Sequence, residues 1–264
     1  MASRHDRMRR WARSPKGLFT GILTLLTLMA APPVGWARVL PLLAVGIGAA
    51  ALLDAPLIRQ RDGRWSIPDG GILTGWLIGV VLSPYQSLTV AAAASIMGIA
   101  AKHLLRVRRA NVLNPAAAGL VASALLFQSG QSWWGALPDH PLPLLVVLGA
   151  TAAFMAWRLG KLPLVLAFLL VHFTLATASA WLDDPKRVAE LFRTPDLQMA
   201  IFFAGFMATD PPTSPPRHRD QLWYALIAAL GGWVVFRWNG SVVFLLVGLL
   251  AANLWEGWRK WKRR

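Results

Sequence analysis

FFAGFMATDPPTSPP, residues 202–216, is an apolar run brought to a sudden halt. Proline cannot continue a helix and pushes the residue before it out of the helical region, so Asp210-Pro211 sets a hard stop. Thr209 and Asp210 carry oxygens that can cap the freed backbone groups. Four prolines in six residues then predict a stiff turn rather than a floppy loop, ahead of the basic run Arg217-His218-Arg219. Residues 111–120, NVLNPAAAGL, are built in the same style, with Pro115 opening a small-residue helix behind Asn114. Two rigid, polar helix ends in an otherwise apolar chain mark where a site is expected.

The pattern of an apolar run closed by a polar or basic turn recurs along the whole chain. Hydrophobic residues make up 56% of the sequence and the mean hydropathy is +0.48. That is the profile of an all-α, multi-pass integral membrane protein. The formal net charge of +15 sits in short loops between apolar runs. Positive-inside bias accounts for it, and nucleic acid is not expected as a partner. Cysteine is absent, which excludes disulfides, thiol catalysis and an iron–sulfur cluster held by this chain's own thiolates. Trp36, Trp133, Trp134, Trp181, Trp238, Trp255 and Trp258 fall near run ends, as an interfacial belt requires.

Residues 1–17 read as a basic cytoplasmic tail, 18–258 as one membrane domain and 259–264 as a second basic tail. The apolar runs are 18–31, 39–58, 70–83, 86–101, 114–127, 142–157, 162–181, 197–208, 221–236 and 241–255. The eighth has 12 residues, short of the ~20 a helix needs to cross the hydrocarbon. It is expected to borrow from residues 188–192 or to be a broken helix. Ten spans with both termini cytoplasmic place 22 of the 27 Lys/Arg inside, leaving Arg38, Lys186, Arg187, Arg193 and Arg237 outside. Ten divides into five and five, and an odd-numbered repeat must insert upside down. The third and eighth runs are short, glycine-interrupted and in corresponding positions, which points to an inverted repeat with a central site.

Ionisable groups within apolar runs each need a reading. Asp54, near the cytoplasmic end of the second run, either binds a cation or relays a proton, or is a helix-end carboxylate that reaches water or pairs with Arg59. It is the one ion-coupling candidate. His172 lies mid-run in LLVHFTLAT. A bis-histidine haem would need a second intramembrane histidine, so a hydrogen bond to a neighbouring helix is expected instead. Lys102, nearest the membrane in the basic stretch 102–109, could meet a phosphate or a carboxylate. The third run opens with Gly70-Gly71 and then Thr74-Gly75, and a helix start suits a flavin phosphate or another anion. No nucleotide loop, hydrolase triad or metal cluster is readable.

GGILTGWLIGVVLS, AKHLLRVRRANVLNPAAAGL and FFAGFMATDPPTSPPRHRDQLWYALIAAL, in that order, resemble the NqrB/RnfD family. These are the membrane flavin subunits of the sodium-pumping NADH:quinone reductase and of the Rnf electron-transport complex. The resemblance runs from about the second span to the last. It implies a compact RnfD-like subunit of the inner (cytoplasmic) membrane, taking part in flavin-mediated electron transport with Na+ or H+ movement as the coupled process. Its partners would be other electron-transfer subunits or a soluble redox donor. Thr74, Gly75, Lys102, Asn114, Pro115, Thr209 and Asp210 are the residues expected to line or shape the flavin site. In the family a threonine at the external start of the eighth span carries a flavin through its phosphate. That register falls on Ala200, which has no oxygen for a phosphoester, and Thr194 would serve only if the loop shifted. The cofactor expected is therefore FMN or riboflavin held non-covalently. Two other readings stand beside this one: a small-solute channel or carrier without a redox group, and the membrane anchor of a biosynthetic redox system.

Overall fold

The computed structural model describes residues 4–107, 110–138, 142–182, 185, 186, 189 and 193–262. Of the described residues, 79% are helical. The helices are α1 (Arg4–Ala12), α2 (Pro15–Val34), α3 (Trp36–Asp62), α4 (Asp69–Val81), α5 (Leu88–Leu104) and α6 (Pro115–Phe127). They continue with α7 (Leu142–Arg158), α8 (Leu162–Leu182), α9 (Asp196–Phe202), α10 (His218–Asn239) and α11 (Phe244–Lys262). A two-residue strand pair, Arg106–Val107 against Ala110–Asn111, closes the basic α5–α6 turn. Among the described residues three helices, Pro15–Val34, Trp36–Asp62 and Leu162–Ser179, are long and apolar enough to cross a membrane.

Each of the ten apolar runs falls on one helix. Side-chain oxygens start several of them: Ser14 accepts from the Gly17 N–H, Ser87 from Val90 and Asn114 from Ala117. Glycines in the left-handed conformation, Gly63 and Gly240, end α3 and α10. The second run was expected to stop near Ile58 after Ala55-Pro56, yet α3 continues through Pro56 to Asp62. Packing against α4 and α5 along its length outweighs the one backbone bond that proline removes. The eighth run is not broken: the chain is continuously helical over Asp196–Met207. After α9, residues Phe203–Met207 form a π turn, with the Ala208 N–H donating to the Phe203 carbonyl five residues back. The borrowing expected from 188–192 falls, but for residue 189, outside the described residues, as do Arg108, Arg109, His140 and Arg187.

Two groups of helices carry most of the packing. In the first, α3 lies against α4 and α5, and α5 against α6; in the second, α10 lies against α8 and α11. Contacts between the groups run from α2 to α7 and from α6 to α11. The closest approaches are glycine-made. A Cβ on Gly119 of α6 would overlap the Ala94 carbonyl of α5, beside Gly98. A Cβ on Gly248 of α11 would overlap the Ala228 carbonyl of α10, beside Gly232. Each pair is thus Ala-x-x-x-Gly against one glycine, the small-residue packing that lets two backbones touch without a driving force from water.

The α6–α7 connection corrects one reading of the tryptophans. Trp36, Trp181, Trp238 and Trp258 are exposed, as a belt requires, but Trp133 and Trp134 are each only 3% exposed. They plug the protein interior: Trp134 Nε1 donates to the Gly79 carbonyl at 2.8 Å, and Gly135 lets the loop close on Val80. The non-helical segment is enclosed by the helices around it.

Candidate functional site

The Asn-Pro and Thr-Asp-Pro segments meet. Asn114 caps α6 through its Oδ1, while its Nδ2 donates to the Met207 carbonyl at the end of the π turn, at 3.2 Å. Its own backbone N–H donates to Asn253 Oδ1 of α11 at 2.7 Å, and Asn253 in turn donates to the Tyr224 hydroxyl of α10. All three side chains are buried. This line of polar groups ties α6, the π turn, α10 and α11 together, and every member has a partner, as a buried network requires.

Beside that junction lies a cavity of about 710 Å3. It opens where α4 begins, between the ends of α3 and α5 and the start of α2, and the 209–212 turn walls it. Thr74, Lys102, Asn114, Pro115, Thr209 and Asp210 all line it. Gly75 does not. It faces α3 instead, where a Cβ would overlap the Gly46 carbonyl, so its role is helix packing. Thr74 Oγ1 donates back to the Gly70 carbonyl and Thr209 Oγ1 to the Gly205 carbonyl, at 2.8 and 2.7 Å. Apolar walls come from Phe19, Leu73, Leu77, Met155 and Phe206.

Asp54 lies directly behind this cavity and is fully buried. Lys102 Nζ reaches its two oxygens at 2.8 and 2.6 Å, and His103 Nε2 sits 2.7 Å from Oδ1. The expected pairing with Arg59 is not made: that guanidinium lies over the Trp65 ring, 4.6 Å from its centroid. The carboxylate that Lys102 meets is Asp54. Gly70 and Gly71 leave the room, since a Cβ on Gly71 would press on Asp54 and one on Gly70 would stand 3.1 Å from Lys102 Nζ. His103 is a partner that the sequence reading passed over; its place next to Lys102 was the available signal.

The proline turn is clamped from three sides. Lys161, in the α7–α8 turn, donates to the Ser214 and Pro215 carbonyls at 3.3 and 2.5 Å. Gln221 reaches the Gly160 and Pro216 carbonyls, and Lys260 the Pro212 carbonyl. The Asp210 carboxylate accepts from Thr213 Oγ1 at 2.8 Å. Burial pushes the Asp210 carboxyl up, against the pull of that hydrogen bond. Burial pushes the Lys161 ammonium down to about 8. The stiff turn foreseen from the prolines is therefore held by lysines as well, which lie far off in sequence.

A second cavity, of about 570 Å3, sits at the other end of the helices, lined among others by Pro33, Tyr85, Gln131, Trp133, Asp196 and Phe244. Ala200 is fully buried in α9, and Thr194 is exposed, next to Pro195 on the cavity wall. His172 was expected to hydrogen-bond across to a neighbouring helix. It instead stacks between the rings of Phe168 and Phe244, at 5.6 and 6.1 Å. Among the described residues no group of three His, Cys, Asp or Glu could hold a metal ion. Comparison with protein-family models and with curated proteins finds no match for the chain.

Proposed function

We propose that this chain is a ten-span, multi-pass subunit of the inner (cytoplasmic) membrane that holds FMN or riboflavin non-covalently and passes electrons between partner redox proteins. The observation that carries the reading is the convergence of six resemblance residues, from α4, α5, α6 and the 209–212 turn, on one cavity of about 710 Å3. That size lies within the ~300–1,000 Å3 typical of small-molecule sites. The wall fits a planar, partly polar group: apolar faces from Phe19, Leu73 and Phe206, with Lys102, Asn114, Thr209 and Asp210 at the edges. A flavin bound there would supply the capacity to accept and release electrons. The chain's own residues orient it, keep water from its apolar face and hold Lys102 and Asp54 as a neutral pair behind it. Asp54 is the residue through which Na+ or H+ movement would couple, since it is fully buried and paired with Lys102 of the cavity wall.

The same packing supports a five-plus-five inverted repeat. Taking α2–α6 and α7–α11 as the halves, α3·α5 corresponds to α8·α10 and α5·α6 to α10·α11, each of them extensive. The Ala94/Gly98/Gly119 and Ala228/Gly232/Gly248 junctions fall on that last corresponding pair.

Protein purified in mild detergent is expected to absorb in the visible as a flavin does, and acid precipitation should release the colour. Colour that stays in the pellet would mean a covalent anchor and would point to Thr194. A colourless protein that takes up neither FMN nor riboflavin sinks the redox reading in favour of a channel or carrier. A colourless protein that co-purifies with a soluble flavoprotein would instead favour a membrane anchor.

A further inference from the structure

We infer that α1 is an interfacial helix that docks on a membrane surface bearing anionic headgroups, and that it does so at the mouth of the first cavity. This rests on the membrane reading of α2 and is independent of any cofactor. Residues 4–16 hold six basic residues against one acidic, Asp6. They do not form a trailing tail. Residues Arg4–Ala12 are helical, and α2, the first helix able to cross a membrane, begins three residues later. The joint between them is tight. Ser14 caps α2, its own N–H donates to the Trp11 carbonyl, and a Cβ on Gly17 would overlap that same carbonyl. The angle of α1 to α2 is thereby set by the backbone.

The face presented by α1 is divided. Trp11 is 48% exposed, with Ala12 and Arg10 each a step of about 100° to either side of it. Arg9 stands about 160° round the helix from Trp11, since each residue turns it by about 100°, and Arg13 follows just past the helix end. All three arginines are exposed, and no ion pair or hydrogen bond holds their side chains among the described residues. An exposed tryptophan, unpaired arginines and a rigid joint to a membrane helix suit one occupant, the headgroup region of an anionic bilayer, where the indole sinks in and the arginines meet phosphate. Just past the joint, Ser14, Pro15 and Lys16 line the cavity, and Lys16 pairs with Asp69 at the start of α4 at 2.8 Å. Lipid engagement of α1 therefore fixes the cavity rim as well as the helix.

The absence of cysteine makes the test direct. Single variants Ala12→Cys and Asp6→Cys of the full chain, spin-labelled, are placed in nanodiscs of phosphatidylcholine alone or with phosphatidylglycerol. The label at 12 should lose accessibility to a water-soluble relaxation agent several-fold when phosphatidylglycerol is present, and the label at 6 should not. High salt, or Arg9→Gln/Arg10→Gln/Arg13→Gln in the Ala12→Cys background, should abolish the difference. Equal accessibility at 12 in both lipids overturns the inference. So does protection that appears only on adding cytosolic extract, which would assign the face to a protein.

Discussion

Asp54 and Lys102 stand or fall together. The carboxylate is fully buried and the ammonium 13% exposed, so removing one partner leaves the other charge with little water to solvate it. Asp54→Ala or Lys102→Met should each cost about 3–5 kcal/mol, whereas Asp54→Ala with Lys102→Met should cost clearly less than the two single losses added. Thermal unfolding in detergent checks this, and strict additivity would mean that the pair is not coupled. Lys161 gives a pH test. Its ammonium titrates at about 8 in the fold against 10.5 unfolded, because burial disfavours the charged form. Its cost is thus fully present below pH 8 and is relieved as pH rises toward 10.5. The melting temperature of the parent protein relative to Lys161→Met should rise between pH 7 and pH 10. A flat difference would show that the carbonyls of Ser214 and Pro215 hold the charge without penalty.

At the scale of helices, glycine decides which ones can meet. Gly119→Val and Gly248→Val each push a side chain into a carbonyl of the facing helix, at Ala94 and Ala228. Overpacking of this kind costs about 1–3 kcal/mol and forces the helices apart. Both variants should melt lower and elute as broader peaks in size exclusion. Gly21→Ala is the control: nothing lies within 4 Å of its added carbon, and alanine favours a helix over glycine by about 1 kcal/mol. Its melting temperature should hold or rise. The same packing explains why α3 runs past the end expected near Ile58. A sequence pattern registers the proline, but not the α4 and α5 surfaces that hold α3 straight past it.

For the whole molecule, Asn114 ties distant helices together. Its side chain caps α6 and bonds the π turn, and its backbone reaches α11. Asn114→Ala should lose the cap, worth about 1 kcal/mol, and leave the Met207 carbonyl with only the long bond from the Asp210 N–H, at 3.4 Å. Ligand uptake by the first cavity should weaken along with stability. Asn114→Asp keeps an acceptor for the cap but not the donor to Met207. If Asn114→Asp matched the parent protein in both, the link to the π turn would carry no weight. By itself the sequence determined the all-α class, the ten apolar runs and the two polar stops, because hydropathy, proline and capping side chains act over a few residues. Those local signals also placed Thr74, Lys102, Asn114, Pro115, Thr209 and Asp210 among the candidates. Only the tertiary structure decided that these six share a cavity and Gly75 does not. It alone paired Asp54 with Lys102 and His103 rather than with Arg59, and buried Trp133 and Trp134 instead of leaving them at the interface. Such contacts join residues tens to more than a hundred positions apart, and which backbones approach closely enough depends on packing that no local pattern encodes.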